Sequence, residues 1–445
     1  MKKIQKVKKA STKLEKRINT AGKKFAKDKN LLDKMEINAK NECFITLKDH
    51  KENFLNNPKT RLINPAKNEI GRISKIILDK INKELTEKLN INQWKSNVSV
   101  LDWFKAIENK HECTFTVFDI EQFYPSIKES VLLKALDFAK KHTKVLNKDI
   151  DVIRHSRRSL LFNQGETWVK REEENFDVTM GAYDGAEVCE LVGIYLQSLI
   201  GEKYNKNNFG LYRDDGLAVF RKVNGQQSER IKKDLQKIFK ENYLNIEISC
   251  NKKIVNYLDV TMNLNDGPYR PYHKQNDELM YIHSESNHPP AIIKQLPLSI
   301  EKRLKTLSSS KEIFDEAAKP YQKTLERNGY KHILKYEEDS GATKRNRKRN
   351  IIWFNPPYSK SVTTNVGRYF LQLVEKHFPK HNKLYKIFNK NTIKVSYSCL
   401  PNVKSSVNKH NKKVLRKVKE GTSSNEPVKT CSCPRNTECP LDNCC

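Results

Sequence analysis

Three aspartates, Asp119 and the adjacent pair Asp214 and Asp215, are the side chains of this sequence best suited to chemistry. Carboxylates are hard oxygen ligands, and magnesium is usually held by one or two of them together with substrate phosphates. Two such cations about 3.5–4 Å apart stabilise both the attacking and the leaving oxygen of a phosphoryl transfer. An acidic doublet alone is a weak signal, because turns often carry one. Its setting strengthens it: Gly210-Leu-Tyr212 precedes the doublet and Leu217-Ala-Val219 follows it. Like charges between runs that apolar repel each other and are costly to bury without a cation. The expectation is transfer of a nucleotide with two Mg2+ ions, or Mn2+ in their place, provided folding brings Asp119 to the doublet.

The elements that must position these acids can be read from periodicity. Thr114 to Asp119 is rich in β-branched and aromatic residues and predicts a buried strand. Ser126-Ile-Lys-Glu129 has the pattern of a capping box opening a helix with Val131, Leu132, Ala135 and Leu136 on its apolar face. Residues 186–199 carry apolar side chains at helical spacing. Phe209 to Tyr212 and Leu217 to Phe220 flank Arg213-Asp-Asp-Gly216, which predicts a β-hairpin with the acids at its tip. Ile231, Leu235, Ile238 and Phe239 mark another amphipathic helix, and Tyr257 to Leu264 with Tyr269 to His273 predict a second hairpin. The class this order implies is α+β.

The chain has 445 residues, a net charge of +31 and a pI near 9.6. Such an excess of Lys and Arg repels itself unless a polyanion neutralises it, so nucleic acid is the expected partner. No apolar segment follows the first lysines as in a secretory signal, and no run reaches the roughly 18 apolar residues of a membrane span. A soluble protein that is not secreted and binds no membrane is expected. Residues 1–42 read as a basic arm, either a solvated helix or a flexible tail on a nucleic-acid backbone. Residues 341–350 form a basic linker, whose Lys344-Arg-Asn-Arg-Lys-Arg349 suits nuclear import, and 351–425 an accessory region with no clear period. Five of the ten cysteines crowd the last fifteen residues. Cys431, Cys433, Cys439 and Cys444, within 430–445, could hold Zn2+ as a knuckle; prenylation of Cys444-Cys445 and a plain reducible tail are the alternatives. Oligomeric state has no signature in the sequence.

Phe118-Asp119-Ile-Glu-Gln-Phe-Tyr124 resembles the first palm motif of reverse transcriptases, and Tyr212-Arg-Asp214-Asp215 their Tyr-x-Asp-Asp motif. Phe44-Ile-Thr-Leu-Lys48-Asp-His-Lys51 and Arg61-Leu-Ile-Asn64 resemble the fingers. Tyr257-Leu-Asp-Val260, Tyr281-Ile-His-Ser284 and Asn287-His-Pro-Pro290 are similar to the segment after the palm in Penelope-like retroelements. The resemblance implies a right-hand polymerase: fingers and palm over 43–290, with an antiparallel palm sheet, and a helical thumb over 291–340. It implies an RNA-directed DNA polymerase that extends a DNA primer on an RNA template with dNTPs. Metal ligation would fall to Asp119, Asp214, Asp215 and Ile120. The nucleotide would meet Arg61, whose fork can clamp phosphate oxygens, and Lys48 and Lys51 as point charges. Tyr124 would lie under the sugar and exclude a 2′-hydroxyl, Gly181 would touch the template–nucleotide pair, and Lys252 or Lys253 would protonate the leaving pyrophosphate.

Two departures from the family pattern stand out. Gly185-Ala186 replaces a Ser-Pro pair after Gly181, with Asp184 and Glu187 beside it. The terminal cysteines resemble the connector to a GIY-YIG endonuclease, yet the sequence ends at Cys445, so that nuclease is expected to be lost or truncated. The rival expectations are an RNA-dependent RNA polymerase and an inactive element remnant that only binds nucleic acid.

Overall fold

The computed structural model describes residues 7–10, 12–30, 41–47, 56, 60–65, 69–158, 160–163, 166–170, 176–273, 278–336, 350–400, 403, 406–407 and 410. Lys48, Lys51, the run Lys344 to Arg349 and the cysteines from Cys431 onward lie outside the described residues. The chain divides into two compact units, Met1–Glu278 with Arg303–Ala318, and Leu279–Lys302 with Lys319–Cys445.

The first unit begins with β1 (Val7–Lys9), α1 (Thr12–Asp28), β2 (Phe44–Leu47), β3 (Thr60–Ile63), α2 (Glu69–Leu89), β4 (Asn92–Gln93) and α3 (Asn97–Lys105). Next come β5 (Cys113–Ile120), α4 (Phe123–Ser126), α5 (Glu129–His142), α6 (Asn147–Ser156), β6 (Leu161–Asn163), β7 (Glu166–Lys170) and α7 (Gly185–Gly201). The hairpin β8 (Phe209–Tyr212) and β9 (Asp215–Arg221) leads to α8 (Gly225–Glu241), β10 (Ile246–Lys252), β11 (Ile254–Tyr257), β12 (Val260–Asn263) and β13 (Tyr269–Pro271). Then follow α9 (Pro290–Leu307) and α10 (Lys311–Arg327), and, in the second unit, β14 (Ile352–Phe354), α11 (Val366–His377) and β15 (Ile393–Val395).

A five-stranded sheet in the order β10-β5-β9-β8-β4 is the frame of the first unit. All its neighbours are antiparallel except β4, which runs parallel to β8. Because strand side chains alternate faces, β5 and β9 each supply two cores. Phe118, Ile120, Ala218 and Phe220 belong to the larger one, with apolar side chains of α2, α5, α7 and α8. Phe115, Leu217 and Val219 belong to the other, with α3 and the three-stranded sheet β11-β12-β13. Each phenylalanine buried in this way contributes roughly 1.5–3 kcal/mol.

Gly216 shows how tightly this sheet is built. It sits opposite Phe118, and a Cβ there would lie 2.1 Å from the Phe118 ring. Gly216→Ala is therefore expected to expel that ring and to cost about 1–3 kcal/mol, as overpacking does. Urea denaturation would read the loss; unchanged stability would contradict this packing.

Several readings of the sequence need correction. Ser126 does not cap α5: it is the last residue of the single-turn α4, and Lys128 stands at the N-terminal boundary of α5 without a side-chain cap. Ser126 N already donates to Gln122 O within that turn, so its backbone is committed before α5 begins. Tyr257 to Leu264 is not one strand, because Leu258 takes φ +52° and breaks it into β11 and β12. The basic arm is not a free tail over its described part. β1 pairs with β7, Phe25 stacks on His155 at 4.3 Å, and Lys29 bridges Asp151 at 2.5 Å. Burial, followed by the charge of Arg158, pushes His155 down to about 4, so at neutral pH an uncharged ring faces Phe25.

Candidate active site

The pairing of β5 with β9 sets the site. Asp119 and Asp215 are direct cross-strand partners, so their side chains share a face with Cβ atoms about 4.5–5.5 Å apart. Asp214 lies in the two-residue turn between Tyr212 and Asp215, and its carbonyl accepts from Ile120 N at 2.9 Å. That bond fastens the end of β5 to the tip of the hairpin. Arg213 takes φ +57° in the turn, a left-handed conformation costing a non-glycine residue roughly 1–2 kcal/mol. Its guanidinium lies 5.7 Å from the Tyr212 ring centroid. From β11, the buried Tyr257 donates its hydroxyl to the Asp215 carbonyl at 2.8 Å and fixes the backbone of that residue.

Electrostatics mark the same spot. Burial, then the charges of Asp214 and Asp119, push Asp215 up to about 7. Tyr124 is pushed up to about 12, mainly by burial, with Cys189 and Asp214 adding to it. Among the described residues, no three His, Cys, Asp or Glu side chains stand closely enough to hold a metal ion alone. Magnesium or manganese completes its shell with phosphate oxygens and water, so one or two carboxylates can suffice as its protein ligands. Asp119, Asp214 and Asp215 would hold such ions, and the accumulated negative charge at Asp215 is what a divalent cation would relieve.

A pH dependence follows. An acid raised from 3.8 to about 7 keeps its proton longer in the folded chain than in the unfolded one. Its contribution to stability is full below the unfolded value and is lost as pH rises through about 7. Metal binding needs the carboxylate, so Mg2+ is expected to raise Tm at pH 8 but not at pH 5. Thermal melts with and without Mg2+ would check this, and in Asp215→Asn the Mg2+ effect should no longer differ between the two pH values.

The loop before α7 runs from β3 toward Tyr124. Gly181 has φ +103°, and a Cβ there would lie 2.8 Å from Asn64 O. Ile63 and Met180 form a parallel bridge and Asn64 N donates to Met180 O at 2.9 Å, so β3, with the exposed Arg61, runs beside this loop. At Gly185 a Cβ would meet Thr179 O at 2.8 Å and lie 3.8 Å from the Tyr124 ring. Asp184 is wholly buried in an ion pair with Arg157 and accepts from Ser156 Oγ at 2.7 Å. Glu187 pairs with Lys75. Asp184 and Glu187, which flank Gly185-Ala186, thus anchor the loop to the end of α6 and to α2. Sequence reasoning missed Arg157, Ser156 and Lys75, because nothing near them in the chain announces partners so distant.

Lys252 and Lys253 are not at this site. β10 runs antiparallel to β5, with Ile246 opposite Ile120 and Lys252 opposite Phe115. Four residues of strand put Lys252 roughly 13 Å along the sheet from Asp119. Lys253 Nζ donates to the carbonyls of His111 and Cys113, at the far end of β5. Both lysines thus lie toward the other end of β5 from the three acids.

The sequence profile of the Animal helix-turn-helix domain matches residues 280–333, the segment containing α9 and α10. No curated protein sequence matches the chain. Among solved structures, it is similar to telomerase from Candida albicans in complex with a fragment of telomeric RNA, with TM-score 0.44 and 11% identity over 73% of this chain and 60% of that one. It is also similar to the RNA-dependent RNA polymerase of a human picobirnavirus, with TM-score 0.42 and 14% identity over 61% of this chain and 54% of that one. The chain therefore spans less than two thirds of the length of either protein. No helix among the described residues is long and apolar enough to cross a membrane.

Proposed function

We propose that this chain is an RNA-directed DNA polymerase of a retroelement, similar to the Penelope-like group, joining dNTPs to a primer 3′-hydroxyl. The observation that carries this reading is Asp119 directly opposite Asp215, with Asp214 in the adjoining β8–β9 turn and its carbonyl bonded to Ile120 N. Asp119 and Asp214 would hold both Mg2+ ions, with Asp215 and the Ile120 carbonyl assisting. Bound there, the ions would act as Lewis acids on the attacking and leaving oxygens. Tyr257 and the Ile120 bond keep the hairpin fixed against β5, so the acids are oriented before substrate arrives. Arg61 would receive phosphate oxygens. In this reading the palm is built on the five-stranded sheet and the thumb on α9 and α10, the basic surface tracks the duplex, and affinity falls steeply with salt. Zinc at the terminal cysteines and nuclear import through Lys344 to Arg349 belong to the same proposal.

Extension of oligo(dT) on poly(rA) with Mg2+ tests it. Activity that survives Asp214→Asn would refute the metal assignment. Tyr124 gives a second test, because its ring lies beside Gly185 and its hydroxyl feels the charges of Arg213 and Asp214 in the hairpin turn. Tyr124→Val should relax discrimination between dTTP and UTP, in kcat/KM, by on the order of 100-fold. An unchanged ratio would favour an RNA-synthesising enzyme.

A further inference from the structure

In the second unit, β14 and β15 form a parallel pair in which Phe354 stands opposite Val395 and Trp353 opposite Lys394. α11 covers one face of this pair: Phe370 stacks on Phe354 at 3.9 Å, and Gly367 lies so close to Val395 that a Cβ would approach it to 2.9 Å. Alternation sends Trp353 and Lys394 to the other face. There Trp353 is 55% exposed, although burying an indole would ordinarily help so small a unit. Lys394 is exposed beside it and donates to Lys390 O at 3.0 Å, which steadies the ammonium and leaves it N–H groups to spare. The surroundings are strongly basic. Residues 350–400 hold seven lysines and Arg368 against one acid, Glu375, which already pairs with Lys390.

We infer that this face is a binding site for one unpaired nucleotide of single-stranded RNA, with the base stacked on Trp353 and its phosphate on Lys394. An exposed ring beside a fixed cation is the pairing that sequence-tolerant single-strand binders use. Double-stranded nucleic acid offers phosphates to the lysine but no free base for the indole. A protein partner would need a strongly acidic surface to approach this segment. The choice of RNA rests on the proposed function, in which the unpaired strand is the template; the stacking site itself does not.

The test uses the full chain and fluorescence anisotropy with a short labelled oligouridylate, its DNA counterpart and an RNA duplex of equal length. Trp353→Ala should weaken binding of the single-stranded RNA about tenfold, with duplex binding within about twofold of wild type. Trp353→Phe should keep most of the affinity, and Lys394→Ala should lower the salt slope by about 0.7. Trp353→Ala binding the RNA as well as wild type does would overturn the site. A larger loss for single-stranded DNA than for RNA would overturn the assignment to RNA. Primer extension is read separately. An inactive chain with Trp353-dependent RNA binding defeats the polymerase reading alone, and an active chain whose binding ignores Trp353 defeats the stacking site alone.

Discussion

Asp119→Asn is expected to lower kcat for primer extension by roughly 10³-fold or more while leaving the fold intact. Metal ions supply several kcal/mol of charge stabilisation in such transition states, and each 1.36 kcal/mol is a decade in rate. Asparagine keeps the size of the side chain but offers a neutral amide, a much poorer ligand for a hard cation. The strand should not notice, because β5 is held by backbone bonds to β9 and β10 and the residue 119 side chain is exposed. Without metal the variant should be at least as stable as wild type, since Asp119 is one of the charges that disfavour ionised Asp215. Loss of activity together with a Tm lower by many degrees would mean that Asp119 is structural.

Arg157→Met is expected to destabilise the first unit by about 3–5 kcal/mol, which is what removing one partner of a buried ion pair costs. Arg157 is 2% exposed and Asp184 not at all, so the abandoned carboxylate has no route to water. Ser156 Oγ still donates to it at 2.7 Å, but one neutral hydrogen bond cannot replace a guanidinium. Urea denaturation of Arg157→Met, Asp184→Asn and the double variant checks this. The double variant should recover more than half of the loss, because the uncompensated charge is gone. If all three variants matched wild type, the pair would not anchor the Gly181 loop. In the polymerase reading, Arg157→Met should also raise KM for dNTP more than it lowers kcat, since Gly181 and Gly185 would lose their seats against Asn64 and Thr179.

What the sequence disclosed and what it hid divide along a physical line. β5, the β8–β9 hairpin, α7 and α8 were legible because each carries its own period: an apolar run, an acidic turn, apolar residues at helical spacing. β10 was not, since Ile246 and Ile248 alternate with polar residues over too short a run to separate from a loop. The position of Lys252 and Lys253 was hidden for a related reason. Their place just after α8 said nothing about the direction of β10, and direction decides which end of the sheet they reach. Arg157 and Asp184 lie 27 residues apart on segments that look merely polar. Only the fold gives them a common buried space. The second unit has strands of three residues, too short for any periodicity to announce.

Counting bound Mn2+ by electron paramagnetic resonance, in the presence of primer–template and an unreactive dNTP analogue, tests the carboxylate cluster most directly. Wild type should hold two ions in each ternary complex, at least one of them beyond those carried by the nucleotide and nucleic acid alone, and Asp119→Asn and Asp214→Asn should each lose at least one. Equal Mn2+ binding by all three proteins would contradict the assignment of these acids as the metal ligands.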